Sequence, residues 1–128
     1  MRIANPWLLA AAISGLVAII AGAYGSHGLA ADAGAREIYT TGVHYQMWHT
    51  LALLACAALA DRHAGDTAAG RWARRAGGLF VAGIVVFSGS MYFYGLFGDV
   101  PLPGLAPAGG FALMAGWACL GLAALRRG

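Results

Sequence analysis

Residues 76–98 read AGGLFVAGIVVFSGSMYFYGLFG, without one charged side chain between Arg75 and Asp99. About 20 apolar residues in helical form cross the ~30 Å hydrocarbon core of a bilayer, and a buried helix in a soluble domain is usually shorter. Working outward, the same pattern recurs. All 13 charged residues lie at positions 2, 32, 36, 37, 61, 62, 66, 71, 74, 75, 99, 126 and 127, which leaves 3–31, 38–60 and 100–125 equally free of charge. These stretches predict an all-α integral membrane bundle of four transmembrane helices, with spans at about 7–24, 43–60, 76–97 and 109–125, filling residues 1–128 as a single domain. Composition agrees: 60% of residues are hydrophobic and 10% charged, against about 25% charged in a typical soluble domain. The longest polar segment, Asp61 to Arg75, is too short for a second globular domain.

The eight basic residues are all Arg, and their placement sets orientation, because basic residues are retained on the cytoplasmic side. With both termini inside, Arg2, Arg62, Arg71, Arg74, Arg75, Arg126 and Arg127 are cytoplasmic and Arg36 alone is external. Basic residues scattered at helix ends, with no aromatic-interleaved patch, are topology signals and exclude a nucleic-acid partner. Arg2 and an apolar run ending in Ala21-Gly22-Ala23 could pass for a secretory signal. The run from Trp7 to Tyr24 is longer than a signal core, however, and Asn5-Pro6-Trp7 has the N-cap, N1 proline and interfacial aromatic of a retained helix start.

The first span is expected to break at Gly25-Ser26-His27-Gly28. An external segment at 29–42 follows, with a short interfacial helix over Ala30 to Tyr39 that leaves Asp32, Arg36 and Glu37 in water. The loop 61–75 places Trp72 beside Arg71, Arg74 and Arg75, suited to anionic headgroups, and Gly98 to Gly110, with Pro101, Pro103 and Pro107, forms a stiff external turn. Small residues at three- and four-residue spacing (Ala11, Gly15, Ala18 and Gly22; Gly78 and Ala82; Ala112 and Gly116) allow helices to approach closely.

No Asp, Glu or Arg lies inside a span. The polar groups that stand out are Gln46, His49 and Thr50, spaced to share a helix face, and Ser88, Ser90, Tyr92 and Tyr94. His27, His44 and His49 raise the question of a haem or metal site. His44 and His49 lie about 140° apart around a helix, and no Cys, Asp or Glu completes a ligand pattern, so His27 and His49 remain the pair for that alternative and no cofactor is expected. Cys56 and Cys119 fit as small apolar packing residues, and His63 as a solvated loop residue.

Four blocks resemble a known family: Gly22-Ala23-Tyr24-Gly25-Ser26-His27-Gly28-Leu29, Tyr45-Gln46-Met47-Trp48-His49-Thr50-Leu51-Ala52-Leu53, Phe87-Ser88-Gly89-Ser90-Met91-Tyr92, and Pro107-Ala108-Gly109-Gly110 leading to Gly116-Trp117. In this order they are similar to the domain-of-unknown-function 423 family of small bacterial inner-membrane proteins, relatives of transmembrane protein 256. The resemblance covers about residues 7–122 and implies an inner-membrane location and weight on His27, Tyr45, Gln46, His49, Ser88, Ser90 and Gly110. It supplies no reaction. His44 does not match a fixed histidine of the pattern, and the loop at 61–75 is longer and richer in Arg than usual.

All four blocks are expected to converge on the outer leaflet as a polar cluster of His27, Tyr45, Gln46, His49, Ser88, Ser90 and Tyr92. No nucleophile–base pair, paired carboxylates or phosphate loop points to an enzyme. The expectation is a non-catalytic accessory or structural subunit that packs in the lipid bilayer against a larger complex or itself. An oligomeric small-molecule transporter or channel and a haem- or metal-binding protein using His27 and His49 are the alternatives.

Overall fold

The structure, a computed structural model, describes residues 3–126; Arg2 and Arg127, used above to set orientation, lie outside the described residues. The chain forms four helices, with no strand among the described residues: α1 (Pro6–His27), α2 (Ala33–Arg62), α3 (Ala68–Phe97) and α4 (Leu105–Ala124). Three of them, α1, α3 and α4, are long and apolar enough to cross a membrane. The fourth, α2, has the length at 30 residues but carries His44, Gln46, His49 and Thr50, which lower its hydropathy; all of these but His44 are buried.

Each helix start has a side-chain cap or a proline to account for it. The Asn5 carboxamide oxygen accepts from the Leu8 N–H at 3.0 Å, with Pro6 as first helical residue, as expected. Its amide reaches on to donate to the Ala57 carbonyl of α2 at 3.2 Å. Asp32 caps α2 through the Ala35 N–H, and Thr67 caps α3 through the Gly70 N–H. Such caps satisfy N–H groups that have no partner in the first turn. Pro107 falls in the first turn of α4, where its missing N–H costs nothing.

Four boundaries differ from expectation. α4 begins at Leu105, inside the turn expected at 98–110, since Pro107 is tolerated in a first helical turn. α1 continues through Gly25 to His27, and Gly25 lets the Tyr39 ring approach within what would be a Cβ contact of 2.8 Å. The external segment and second span are one continuous helix. The loop at 61–75 shrinks to the few residues between Arg62 and Ala68, and Arg71, Arg74 and Arg75 ride on the first turns of α3.

α1 packs on α2, α2 on α3, and α3 on α4. The core is built from Leu53, Cys56, Ala76, Phe80, Ile84 and Leu113, with Ala11 and Ala52 beside them; both cysteines are free. The small face of α1 lies against α2: Ala11 and Ala18 are buried, and Gly22 faces Val43. Gly78 and Ala82 are exposed instead. The close α3–α4 contact runs through Gly109, where a Cβ would come 2.5 Å from the Phe87 backbone nitrogen. The outer side of α1 is apolar and open, with Leu16, Ile19 and Ile20 each at least 60% exposed.

Candidate functional site: a split polar core at mid-depth

α2 supplies the centre of the polar core, and its helical geometry divides that core in two. Gln46 and Thr50 point together toward α1 and α3, whereas His49, about 60° round the helix from Gln46 and about 100° from Thr50, points toward α4.

In the first half, Gln46 Nε2 donates to the Ser14 carbonyl at 2.9 Å and to Ser14 Oγ at 3.3 Å. Tyr92 donates its hydroxyl hydrogen to Gln46 Oε1 at 2.5 Å. Thr50 Oγ1 donates to the Gln46 carbonyl at 2.8 Å and lies 2.6 Å from Ser14 Oγ. Ser14 is the residue that sequence reading misses: alone among Ala, Ile and Gly it gave no polar signal, although it sits next to Gly15 on the small face of α1.

In the second half, His49 Nδ1 lies 2.6 Å from the Tyr45 carbonyl and Nε2 lies 3.1 Å from Trp117 Nε1. A carbonyl only accepts and an indole N–H only donates. These partners therefore assign a neutral imidazole with its proton on Nδ1 and its Nε2 lone pair held by Trp117. Phe80 and Tyr45 flank the ring, and Tyr45 packs on Phe87 with centroids 4.7 Å apart. Trp117 stands in the fourth sequence block, but nothing in the sequence alone reveals that its N–H turns inward while half of its surface stays exposed.

The serines act locally. Ser88 Oγ donates to the Gly42 carbonyl at 2.7 Å, joining α3 to α2, and Ser90 Oγ donates to the Val86 carbonyl at 2.6 Å within α3. Ser88 ends a π-helical turn at Ile84–Ser88, and Ser90 lies two residues beyond it. Such a turn inserts a residue into the helix and is frequent at functional sites.

The structure does not bring His27 into this core. His27 is exposed at the end of α1. Ser14 meets Thr50 while Gly25 meets Tyr39, so His27 lies more than ten residues of α2, over ~15 Å at helical rise, from His49. The core also lies away from the helix end that carries His27. Ser14 lies ~12 Å along α1 from Pro6 and ~20 Å from His27, which puts the polar groups in the middle of the helices rather than at the outer end. Among the described residues no group of three or more His, Cys, Asp or Glu side chains could hold a metal ion.

The end of α1 is held by Arg36, expected to sit in water, and by Tyr39. Arg36 Nη1 donates to the Gly25 carbonyl at 2.7 Å and Nη2 to the Leu29 carbonyl at 2.8 Å, a cation at the negative end of a helix. Tyr39 donates to the Ala21 carbonyl at 3.0 Å. At the opposite end of the bundle, Arg75 lies 4.8 Å above the Trp72 ring. Arg71 pairs with Asp66 at 2.9 Å and holds that carboxyl below the usual carboxylate range.

These features define a class: small helical membrane proteins with a polar core shared among all four helices. The chain belongs to the family described as protein of unknown function DUF423, whose model matches residues 21–110. It is 35% identical over 122 residues to the UPF0382 membrane protein YwdK of Bacillus subtilis, covering 94% of this chain and 96% of that protein. It is 36% identical over 121 residues to the UPF0382 inner membrane protein YgdD of Escherichia coli K12, covering 93% and 88%. A UPF0382 membrane protein of Haemophilus influenzae is 34% identical over 118 residues, covering 91% and 90%. No solved structure matches. The chain is thus an inner-membrane protein.

Proposed function

We propose that the chain crosses the inner membrane four times, with both termini in the cytoplasm, and serves there as a non-catalytic accessory subunit. Its polar core fixes helix register, and its outer faces pack against lipid and a larger membrane complex. The observation that carries this reading is that the polar side chains of the core hold one another and the backbone across helices. Ser14, Gln46, Thr50 and Tyr92 tie α1 to α2 and α3, Ser88 ties α3 to α2, and His49 with Trp117 ties α2 to α4. Groups so engaged set geometry.

The topology rests on three supports. The Arg distribution favours cytoplasmic termini. The polar side chains of α2 are turned inward, which lets a helix of modest hydropathy sit among apolar neighbours. The aromatic and basic residues Trp7, Trp72 and Arg75 gather at one end, where Trp7 packs on Gly77. The open apolar row on α1 is the surface offered to a partner.

The test is gentle-detergent purification of the tagged chain from its native membrane, with mass spectrometry of what accompanies it. Recovery of a heteromeric complex in fixed stoichiometry is the expected result. A homo-oligomer that passes solutes in liposomes would overturn the reading.

A further inference from the structure

Between α1 and α3, over the middle of α2, lies a groove of about 400 Å³, within the ~300–1,000 Å³ range of small-molecule sites. Ile13, Val17, Ile84 and Val85 form its walls, and Ser14, Gln46 and Tyr92 are the polar residues that line it. We propose that this groove binds a neutral, membrane-dissolved alcohol, a molecule with a slender hydrocarbon tail whose hydroxyl donates to the Ser14–Gln46–Tyr92 floor. This inference does not rest on the accessory role.

The chemistry of the occupant follows from where each floor hydrogen goes. Tyr92 gives its hydrogen to Gln46 Oε1, and the two hydrogens on Gln46 Nε2 go to Ser14 O and Oγ. Thr50 gives its only hydrogen to the Gln46 carbonyl, which leaves Thr50 Oγ1 to receive the Ser14 hydroxyl hydrogen. Each donor among these four side chains has an acceptor, and lone pairs remain on Tyr92, Gln46 and Ser14. A ketone, quinone or ether oxygen meets those lone pairs with its own. An O–H group donates its one hydrogen to one of them. An ionised head is disfavoured at this depth between apolar walls.

α3 leaves room for the tail. Gly89 lines the groove, and a Cβ built there meets nothing within 4 Å. The π-helical turn at Ile84–Ser88 ends immediately before it, so the bulged segment of α3 forms one wall of the groove.

The experiment uses the full chain in lipid nanodiscs, with a long-chain primary alcohol carrying a diazirine in its tail and with the methyl ether of that same probe. The alcohol is expected to label Ile13, Val17 and Val85 saturably on irradiation and to be displaced by unlabelled alcohol. The ether should bind about fivefold more weakly or worse, the factor set by one neutral hydrogen bond. Gly89→Leu places a side chain in the groove while leaving Ser14, Gln46 and Tyr92 themselves unchanged, and should abolish saturable labelling. Equal labelling by alcohol and ether in the native chain would overturn the proposal, as would labelling that persists in a folded Gly89→Leu protein. The alcohol–ether comparison stands on the native chain even if that variant does not fold.

Discussion

Gln46→Leu tests the polar core at its most connected residue. The substitution shortens the side chain by one atom and removes two donated bonds to Ser14 and one accepted bond from Tyr92. A neutral hydrogen bond contributes about 1 kcal/mol net, and interhelical bonds within membranes average about 0.6 kcal/mol. The expected loss is about 2–4 kcal/mol, because the Tyr92 hydroxyl is also left without its acceptor in a half-buried site. That orphaned hydroxyl gives the sharper test. Tyr92→Phe in the native background should cost about 1 kcal/mol, and in the Gln46→Leu background close to nothing, giving a coupling of about 1 kcal/mol. The assay is reversible unfolding in mixed detergent micelles followed by tryptophan fluorescence. Equal costs of Tyr92→Phe in both backgrounds would refute the claim that these two residues share a bond.

Other perturbations probe the remaining contacts. Gly109→Ala should cost about 1–3 kcal/mol by overpacking against the Phe87 backbone, whereas Gly121→Ala, where a Cβ meets nothing within 4 Å, should be neutral or stabilising in the same unfolding assay. Arg36→Ala removes the donors to the Gly25 and Leu29 carbonyls, and hydrogen exchange should speed up in the last turn of α1 while the middle of the helix is unchanged. Asp66 should titrate by NMR below the usual ~3.9 of a free carboxyl. Its midpoint should move up in Arg71→Gln, since the Arg71 guanidinium favours the ionised form.

Much of the helical content is legible in the chain because charge is so sparse that its positions mark the helix ends. Asn5-Pro6-Trp7 reads correctly as a helix start for the same local reason that Asp32 and Thr67 turn out to be caps. Those two were hidden by neighbouring charges, which made the flanking segments look like loops. Arg36 shows the same limit: a guanidinium beside Glu37 resembles a solvated face, and only the return of the chain puts the end of α1 within its reach. The grouping of Gln46 with Thr50 follows from four-residue spacing, but His49, expected on the same face, turns to Trp117 instead, a divergence set by which helix packs on each side of α2. The partners Ser14 and Trp117 are set by tertiary packing, as is the π-helical turn at Ile84–Ser88, and no local pattern announces them. The mid-depth level of the core follows from the pairing of Ser14 with Thr50, a contact between helices that composition does not specify.

The central claim, that the polar core is engaged in bonds between helices, is tested most directly at His49. Nitrogen NMR of the protein in nanodiscs, labelled at His and Trp, should show a neutral ring with its proton on Nδ1 and a through-bond coupling between Trp117 Nε1 and His49 Nε2. An Nε2-protonated ring, or a Trp117 indole hydrogen that exchanges freely with water, would contradict it.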